Sequence, residues 1–422
     1  MFCGVVIDDK KGHFNNEGMD VFSKKSKKIV VALGAALASN SALAVLTPDQ
    51  VYDAAWDQRT GSCAGAVIGT EFSDRCIAAA AGNDTGGASP GNNGGVFSGV
   101  GNSSTYAERK IVSDRLKKLK ERGGASGDTF SGEQLGYFVS GKLTETERID
   151  TTLETGYELD EHGVTGGMDY VFSDKFVAGF AIAYSDTDLD YNKGTGGADS
   201  AGSSDYENIS FLTYANYSVN DSFGIDGYVG WSGIDYDLKR NIKYTANGDN
   251  VDTTAVAEAE ANKVLAGLNF IYNLSYDALL LSPMIKLDYS GTFIDQYSES
   301  QGAGLNLKYQ SQNIQSFKST LGFDVSYAVS MPWGVILPKI KAGYVHEFLD
   351  QRRTIHASFV QDTTNYDLQF STDKPDRDYF IMGGGLSTVL AHSVQLFVDY
   401  ERIEGHRYLN SYTVSGGVRI AF

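Results

Sequence analysis

Twelve stretches between Leu135 and the C-terminus alternate apolar and polar residues with period two, and this recurrence constrains the fold more than any other feature. They lie near 135–146, 162–172, 175–189, 206–218, 222–240, 257–274, 278–294, 311–329, 334–349, 378–390, 393–403 and 409–422. Successive side chains of a strand point to opposite faces, so the pattern gives each strand one apolar and one polar face. In the last stretch Tyr412, Val414, Gly416, Val418, Ile420 and Phe422 oppose Thr413, Ser415, Gly417, Arg419 and Ala421. Alone, such a strand fits a soluble sandwich with one wet face or a barrel with one face in lipid.

The connections separate the two. Tight turns stand at Ser173-Asp174, Val219-Asn220-Asp221, Tyr276-Asp277, Ser330-Met331-Pro332 and Ala391-His392. Long polar loops fall between them, at 147–161, 190–205, 241–256, 297–310 and 350–377, with one short connection near Gly405-His406. Short and long connections that alternate along an even number of strands put every short turn, and both ends of the region, on one side. That is the layout of a bacterial outer-membrane barrel. Backbone groups in lipid must be paired within the protein, so the first strand is expected to close against the last. Pro283 and Pro338 each remove a ladder donor and are expected near strand ends or bulges.

Composition excludes other classes. The chain has 422 residues, with 48 Gly, 6 Pro and a net charge of −18. The acidity argues against nucleic acid and against an anionic inner-leaflet surface. The mean hydropathy is slightly negative, unlike that of a helical membrane protein. Lys24, Lys25, Lys27 and Lys28 precede the apolar run 29–38 and the Ala42-Leu43-Ala44 end. A basic region, a short apolar run and an Ala-x-Ala site predict a secretory signal cut after Ala44, with Met19 as a possible start. Cys63 and Cys76 remain after that cut, and an exported chain can keep them paired. A loop of this size would restrain the unfolded chain by roughly 3 kcal/mol.

Residues 78–101 are rich in Gly, Ala, Ser and Asn and read as a linker. The stretch 105–122 that follows reads as a helix, capped at Ser104 or Thr105 and stopped by Gly123-Gly124. Lys110, Arg115, Lys117, Lys118 and Lys120 make most of it basic around a narrow apolar stripe. A twelve-stranded barrel is wide enough to need something in its lumen. The basic helix is the obvious plug, facing lumen carboxylates such as Asp169, Asp226, Asp288, Asp324 and Asp399. An ordinary surface helix is the other reading.

From about Thr105 to Phe422 the chain resembles the translocator domain of type V autotransporters. The features that carry the resemblance are the helix followed by Gly132-Glu133-Gln134-Leu135-Gly136-Tyr137-Phe138, then Gly166-Gly167-Met168-Asp169-Tyr170, and Asp226-Gly227-Tyr228-Val229-Gly230 followed by Arg240. Later come Ala342-Gly343-Tyr344-Val345-His346-Glu347-Phe348, Asp376-Arg377-Asp378-Tyr379 and the aromatic C-terminus. The resemblance implies an all-β, 12-stranded antiparallel transmembrane barrel with an N-terminal helix threading the lumen. It implies assembly by the outer-membrane barrel machinery, read from the last strand through Tyr412, Val414, Val418, Ile420 and Phe422. It also implies export of the preceding segment, which at about 60 residues is far shorter than the family's usual passenger.

The expected organisation is therefore 1–44, an extension and signal peptide; 45–104, a short disulfide-bonded segment and linker; 105–131, the pore helix and its linker; and 132–422, the barrel. The expected partners are outer-membrane lipid, the barrel-assembly machinery and the secretion translocon, with no nucleic acid and the chain a monomer. The N-terminal segment is expected at the cell surface or in the periplasm. No cofactor or metal site is expected. Asp186-x-Asp188-x-Asp190 has calcium-loop spacing, but Tyr191 stands where that loop needs Gly. Two alternatives stand beside the autotransporter: a plugged channel or structural barrel without an exported passenger, and a hydrolase on the barrel rim. The second would need residues such as His162, His346 and Glu347 to meet.

Overall fold

The computed structural model describes residues 70–73, 76, 134–192, 200–246, 249–391 and 393–421, all within one compact unit, Leu46–Phe422. In chain order the strands are β1 Leu135–Arg148, β2 Tyr157–Ser173, β3 Phe176–Tyr191, β4 Gly202–Ser218, β5 Phe223–Ala246 and β6 Asp249–Tyr272. They continue as β7 Leu274–Tyr276, β8 Leu279–Ile294, β9 Tyr297–Ser298, β10 Leu307–Tyr309, β11 Gln312–Tyr327 and β12 Val329–Met331. The last six are β13 Gly334–Glu347, β14 Thr354–Phe359, β15 Leu368–Ser371, β16 Asp378–Leu390, β17 Val394–Glu404 and β18 Leu409–Ala421.

One antiparallel sheet runs β11-β13-β16-β17-β18-β1-β2-β3-β4-β5-β6-β8, and β8 pairs back onto β11. The three-residue β7 and β12 continue neighbouring hairpins, so twelve strands form a closed barrel. The first and last strands pair from Gly136↔Ala421 to Arg148↔Leu409, which leaves no open edge for lipid to meet. Both termini of the barrel therefore lie at the short-turn rim, as the alternation of connections requires. The twelve expected strands are all present, most of them longer than expected at the far end.

The two prolines explain the stubs. Pairing of β8 with β6 stops at Ile271↔Met284 and resumes with β7 at Leu274↔Leu281, so Pro283 falls in the gap. The Ser282 hydroxyl fills part of it by donating to Asn273 Oδ1 at 2.8 Å. Likewise β11 pairs with β13 as far as Ser326↔Lys339, and β12 takes over at Val329↔Ile336, so Pro338 falls between. A residue without an N–H cannot continue the ladder on that side.

Polarity inverts part-way up the strands. On β3 the outward residues run Phe180, Ile182, Tyr184 and then Asp186, Asp188, Asp190, while the inward ones run Ala181, Ala183, Ser185, Thr187 and then Leu189, Tyr191. On β5, outward Val229 and Trp231 give way to Asp235 and Asp237, and inward Ser232 to Ile234, Tyr236 and Leu238. The switch is in register across the sheet, from His162↔Asp186 to Asp186↔Glu207, Glu207↔Asp235 and Asp235↔Glu260. Below it the outward face meets lipid and the inward face a polar lumen; above it the outward face meets water and the inward face becomes a core. The stretch below the switch on β3, Phe176 to Tyr184, has about the 9–11 residues that a tilted strand needs to cross the hydrocarbon.

That upper core corrects one expectation. The connections 297–310 and 350–377 are not simply polar loops: β9, β10, β14 and β15 form a second sheet, ordered β15-β14-β10-β9. The connection 241–256 likewise carries the ends of β5 and β6, with Ile242, Val251 and Ala255 buried. Leu305, Leu307, Tyr309, Ile355, Phe359, Leu368 and Phe370 pack with Tyr157, Tyr191, Tyr236 and Leu238 of the barrel wall in one apolar cluster. The external loops thus fold inward as a cap over the mouth.

Candidate functional site: the lumen and its external mouth

The lumen wall is a set of polar rungs. Lys142 Nζ meets Glu161 at 2.8 Å, Lys339 meets Asp399 at 2.7 Å, and Lys341 pairs with Glu401. Arg419 lies 3.4 Å from Asp169, and the Tyr228 hydroxyl donates to Asp288 at 2.7 Å. Thr144 and Thr413 share a hydrogen bond of 3.0 Å across the β1–β18 seam, as do Thr146 and Ser411 at 2.7 Å. Asp169, Asp226, Asp288, Asp324 and Asp399, expected as lumen carboxylates, all point inward and are buried. The helix expected to face them, with Lys110, Arg115, Lys117, Lys118 and Lys120, lies outside the described residues.

At the external mouth the cap is bolted to the wall. Arg240 of β5 and Glu299, just after β9, have side chains only 1% and 0% exposed. The guanidinium donates to both carboxylate oxygens, Nε to Oε1 at 2.8 Å, and to the Leu305 carbonyl at 2.9 Å. The Leu307 N–H donates to Glu299 Oε2 at 2.9 Å, which completes the carboxylate's partners. A buried bidentate pair with both partners satisfied in this way is held in one geometry.

A piece of the N-terminal segment occupies the same core. Phe72 is 0% exposed and its ring lies 4.8 Å from that of Phe359. Its N–H donates to Gln361 Oε1 at 3.0 Å, and the Ser73 N–H donates to Thr70 Oγ1 at 3.2 Å. The chain passes close to Gly304, whose φ of +85° suits glycine and whose added Cβ would sit 2.6 Å from the Phe72 nitrogen. Cys76 is buried in this cluster and disulfide-bonded; Cys63, its expected partner, lies outside the described residues.

The remaining candidates separate. On the last strand Val414 is exposed on the lipid-facing side, Tyr412, Val418 and Ile420 are half-buried on it, and Phe422 lies outside the described residues. His162 is on β2 and His346 on β13, with β16, β17, β18 and β1 between them. Glu347 points inward, accepting from the N–H groups of Phe317 at 2.9 Å and Leu349 at 3.0 Å. His346 instead meets Asp378 at 2.7 Å on the outer face. The residues of a rim hydrolase are therefore not brought together. Asp186, Asp188 and Asp190 are spread along the outward face of one strand rather than wrapped around a point. Sequence reasoning missed the Arg240–Glu299 bolt and the docking of Phe72. The alternation Leu305, Leu307, Tyr309 was the readable signal for the cap.

Residues 138–401 match the family model described as the autotransporter beta-domain. The chain belongs to the autotransporter β-domain family. It is 24% identical over 307 residues to outer membrane protein A of Rickettsia conorii, covering 70% of this chain and 14% of that protein. It is 23% identical over 263 residues to outer membrane protein B of Rickettsia prowazekii, covering 58% of this chain and 16% of that one. The chain thus spans about a seventh of the length of these relatives. Among solved structures it is similar to the translocator domain of the autotransporter NalP from Neisseria meningitidis, with a TM-score of 0.56 at 14% identity, over 76% of this chain and 98% of that one. The protein is an outer-membrane autotransporter barrel, embedded in lipid by the apolar band of its outer face.

Proposed function

We propose that this barrel carries its own N-terminal segment outward through the lumen and holds it at the cell surface. The observation that supports this most is the place of Phe72. It sits in the core of the external mouth, while Gln134 accepts a hydrogen bond from the Val171 N–H at the opposite, short-turn rim. The covalent chain between them has to join the two ends. The simplest route is the lumen, whose buried carboxylate wall suits a basic segment such as 105–122. In this reading Lys110, Arg115, Lys117, Lys118 and Lys120 face that wall, and Cys63 pairs with Cys76 to staple the exported head. The secretion translocon delivers the chain, the barrel-assembly machinery reads the last strand, and the barrel works as a monomer and not as an enzyme.

The test is an epitope tag inserted after Gly61 in intact cells, with and without external protease. A tag detected outside and removed by protease is the expected result. A tag protected until the outer membrane is opened would overturn export and leave a plugged barrel.

A further inference from the structure

A cavity of about 350 Å³ opens under the cap, along the inner wall formed by β11, β13, β16, β17, β18 and β1. Its volume lies in the range of roughly 300–1,000 Å³ typical of small-molecule sites. It reaches from the Thr144–Thr413 and Thr146–Ser411 rungs of the wall to Tyr157, Ile314 and Leu409 at the border of the mouth's apolar cluster, and does not include Phe72. Apolar and aromatic groups make much of its lining, among them Ile314, Leu349, Tyr379 and Tyr408.

Its four acidic and four basic residues balance formally, so any preference comes from which of them are already engaged. The acids are. Glu347 accepts from the Ser316 hydroxyl and from two backbone N–H groups. Asp373 accepts from Arg148 at 2.8 Å and from the Thr151 hydroxyl at 2.6 Å. Glu154 accepts from Arg148 and from the Asp373 N–H, both at 2.8 Å. Asp376 accepts from the Arg407 N–H.

Arg148 serves two of those acids, whereas the other three cations, Lys318, Arg353 and Lys374, form no ion pair among the described residues. The Lys318 ammonium lies 5.8 Å from the centre of the Tyr379 ring, although Asp288 and Glu347 are its neighbours across the sheet. The Arg353 Nη2 is buried without a hydrogen-bond partner. Burial lowers this guanidinium to about 10. Glu154 attracts it without closing an ion pair, and a buried guanidinium nitrogen without a hydrogen-bond partner is unfavourable, a cost that a ligand carboxylate would offset.

We infer that this cavity binds a small organic anion, a carboxylate carried on a flat apolar body, with Lys318 and Arg353 as its counter-charges and Tyr379 and Tyr408 against its rings. Cations free of ion pairs among the described residues, in a lining that is largely apolar, call for such an amphipathic ligand. A neutral molecule of the same outline would leave both cations as they are.

The test is equilibrium dialysis of the full chain, refolded in detergent, against 1-naphthoate and its neutral amide, 1-naphthamide. Saturable binding of the acid, at least tenfold tighter than that of the amide, is expected. Lys318→Gln and Arg353→Gln should each weaken it tenfold or more, while Lys318→Arg retains it. Heat-dependent gel mobility checks that each variant barrel is assembled. No saturable binding, equal binding of acid and amide, or unchanged affinity in both glutamine variants would each overturn the inference.

Discussion

Replacing Glu299 by Leu tests whether the Arg240–Glu299 pair joins cap to wall. The substitution leaves a guanidinium that is 1% exposed without its carboxylate, and a Leu307 N–H without its acceptor. Removing one partner of a buried ion pair costs about 3–5 kcal/mol. At about 1.4 kcal/mol for each tenfold, local opening of the cap should become more frequent by roughly two to four orders of magnitude, up to the limit set by the opening free energy itself. Arg240→Met should cost a similar amount. The double variant removes both charges and leaves chiefly two unpartnered backbone groups, at about 1–3 kcal/mol each. It should therefore cost several kcal/mol less than the two single changes added together. Amide hydrogen exchange over 297–310 and 354–371 reads the opening directly. A change of less than tenfold in Glu299→Leu, or a double variant equal to the sum of the singles, would refute the reasoning.

The rim and the outer face give further expectations. His406 Nδ1 accepts from the N–H groups of Tyr408 at 3.2 Å and Leu409 at 3.1 Å, and burial pushes the ring down to about 4. The opened loop, with a histidine near 6.5, binds a proton that the packed loop does not, so packing weakens as pH falls from about 6.5 towards 4 and is constant above. Exchange at Tyr408 and Leu409 should show that slope, and His406→Ala should abolish it. Above the lipid edge, like charges face each other in register at Asp160↔Asp188, Asp188↔Asp205 and Asp237↔Glu258. Each such pair destabilises by roughly 0.2–1 kcal/mol and is screened by salt. Protection of the upper halves of β2 to β6 should therefore rise from 10 to about 150 mM ionic strength, and Asp188→Asn should reduce that gain.

The barrel was legible because lipid enforces one rule on every strand. Any residue facing the hydrocarbon is apolar, so Phe180, Ile182 and Tyr184 on β3, or Leu396, Val398 and Tyr400 on β17, spell the pattern outright. The lumen wall was legible by the same alternation, which placed Asp169 and Asp399 inward before any contact was known. Closure followed from the parity of the strands and the need to pair every backbone group.

The mouth was hard to read because the rule reverses there. Above the switch, Asp186 and Asp188 face out and Leu189 and Tyr191 face in, so the expected strand 175–189 runs past the lipid edge while the alternation that defined it no longer tells which face is buried. The cap is harder still. Its strands β9 and β10 have two and three residues, too short to stand without partners. Leu307 and Tyr309 bury their side chains only because β14 supplies Phe359 and Ala357 from about fifty residues further on. Phe72 belongs to no repeating pattern at all: it is buried by a glycine at 304, a phenylalanine at 359 and a glutamine at 361. A site assembled from single residues of remote segments has no local signature. That is why the segment expected as a short disulfide-bonded head gave no sign that Phe72 would enter the buried core of the mouth, and why export and retention of the head are, on this structure, one question about Phe72.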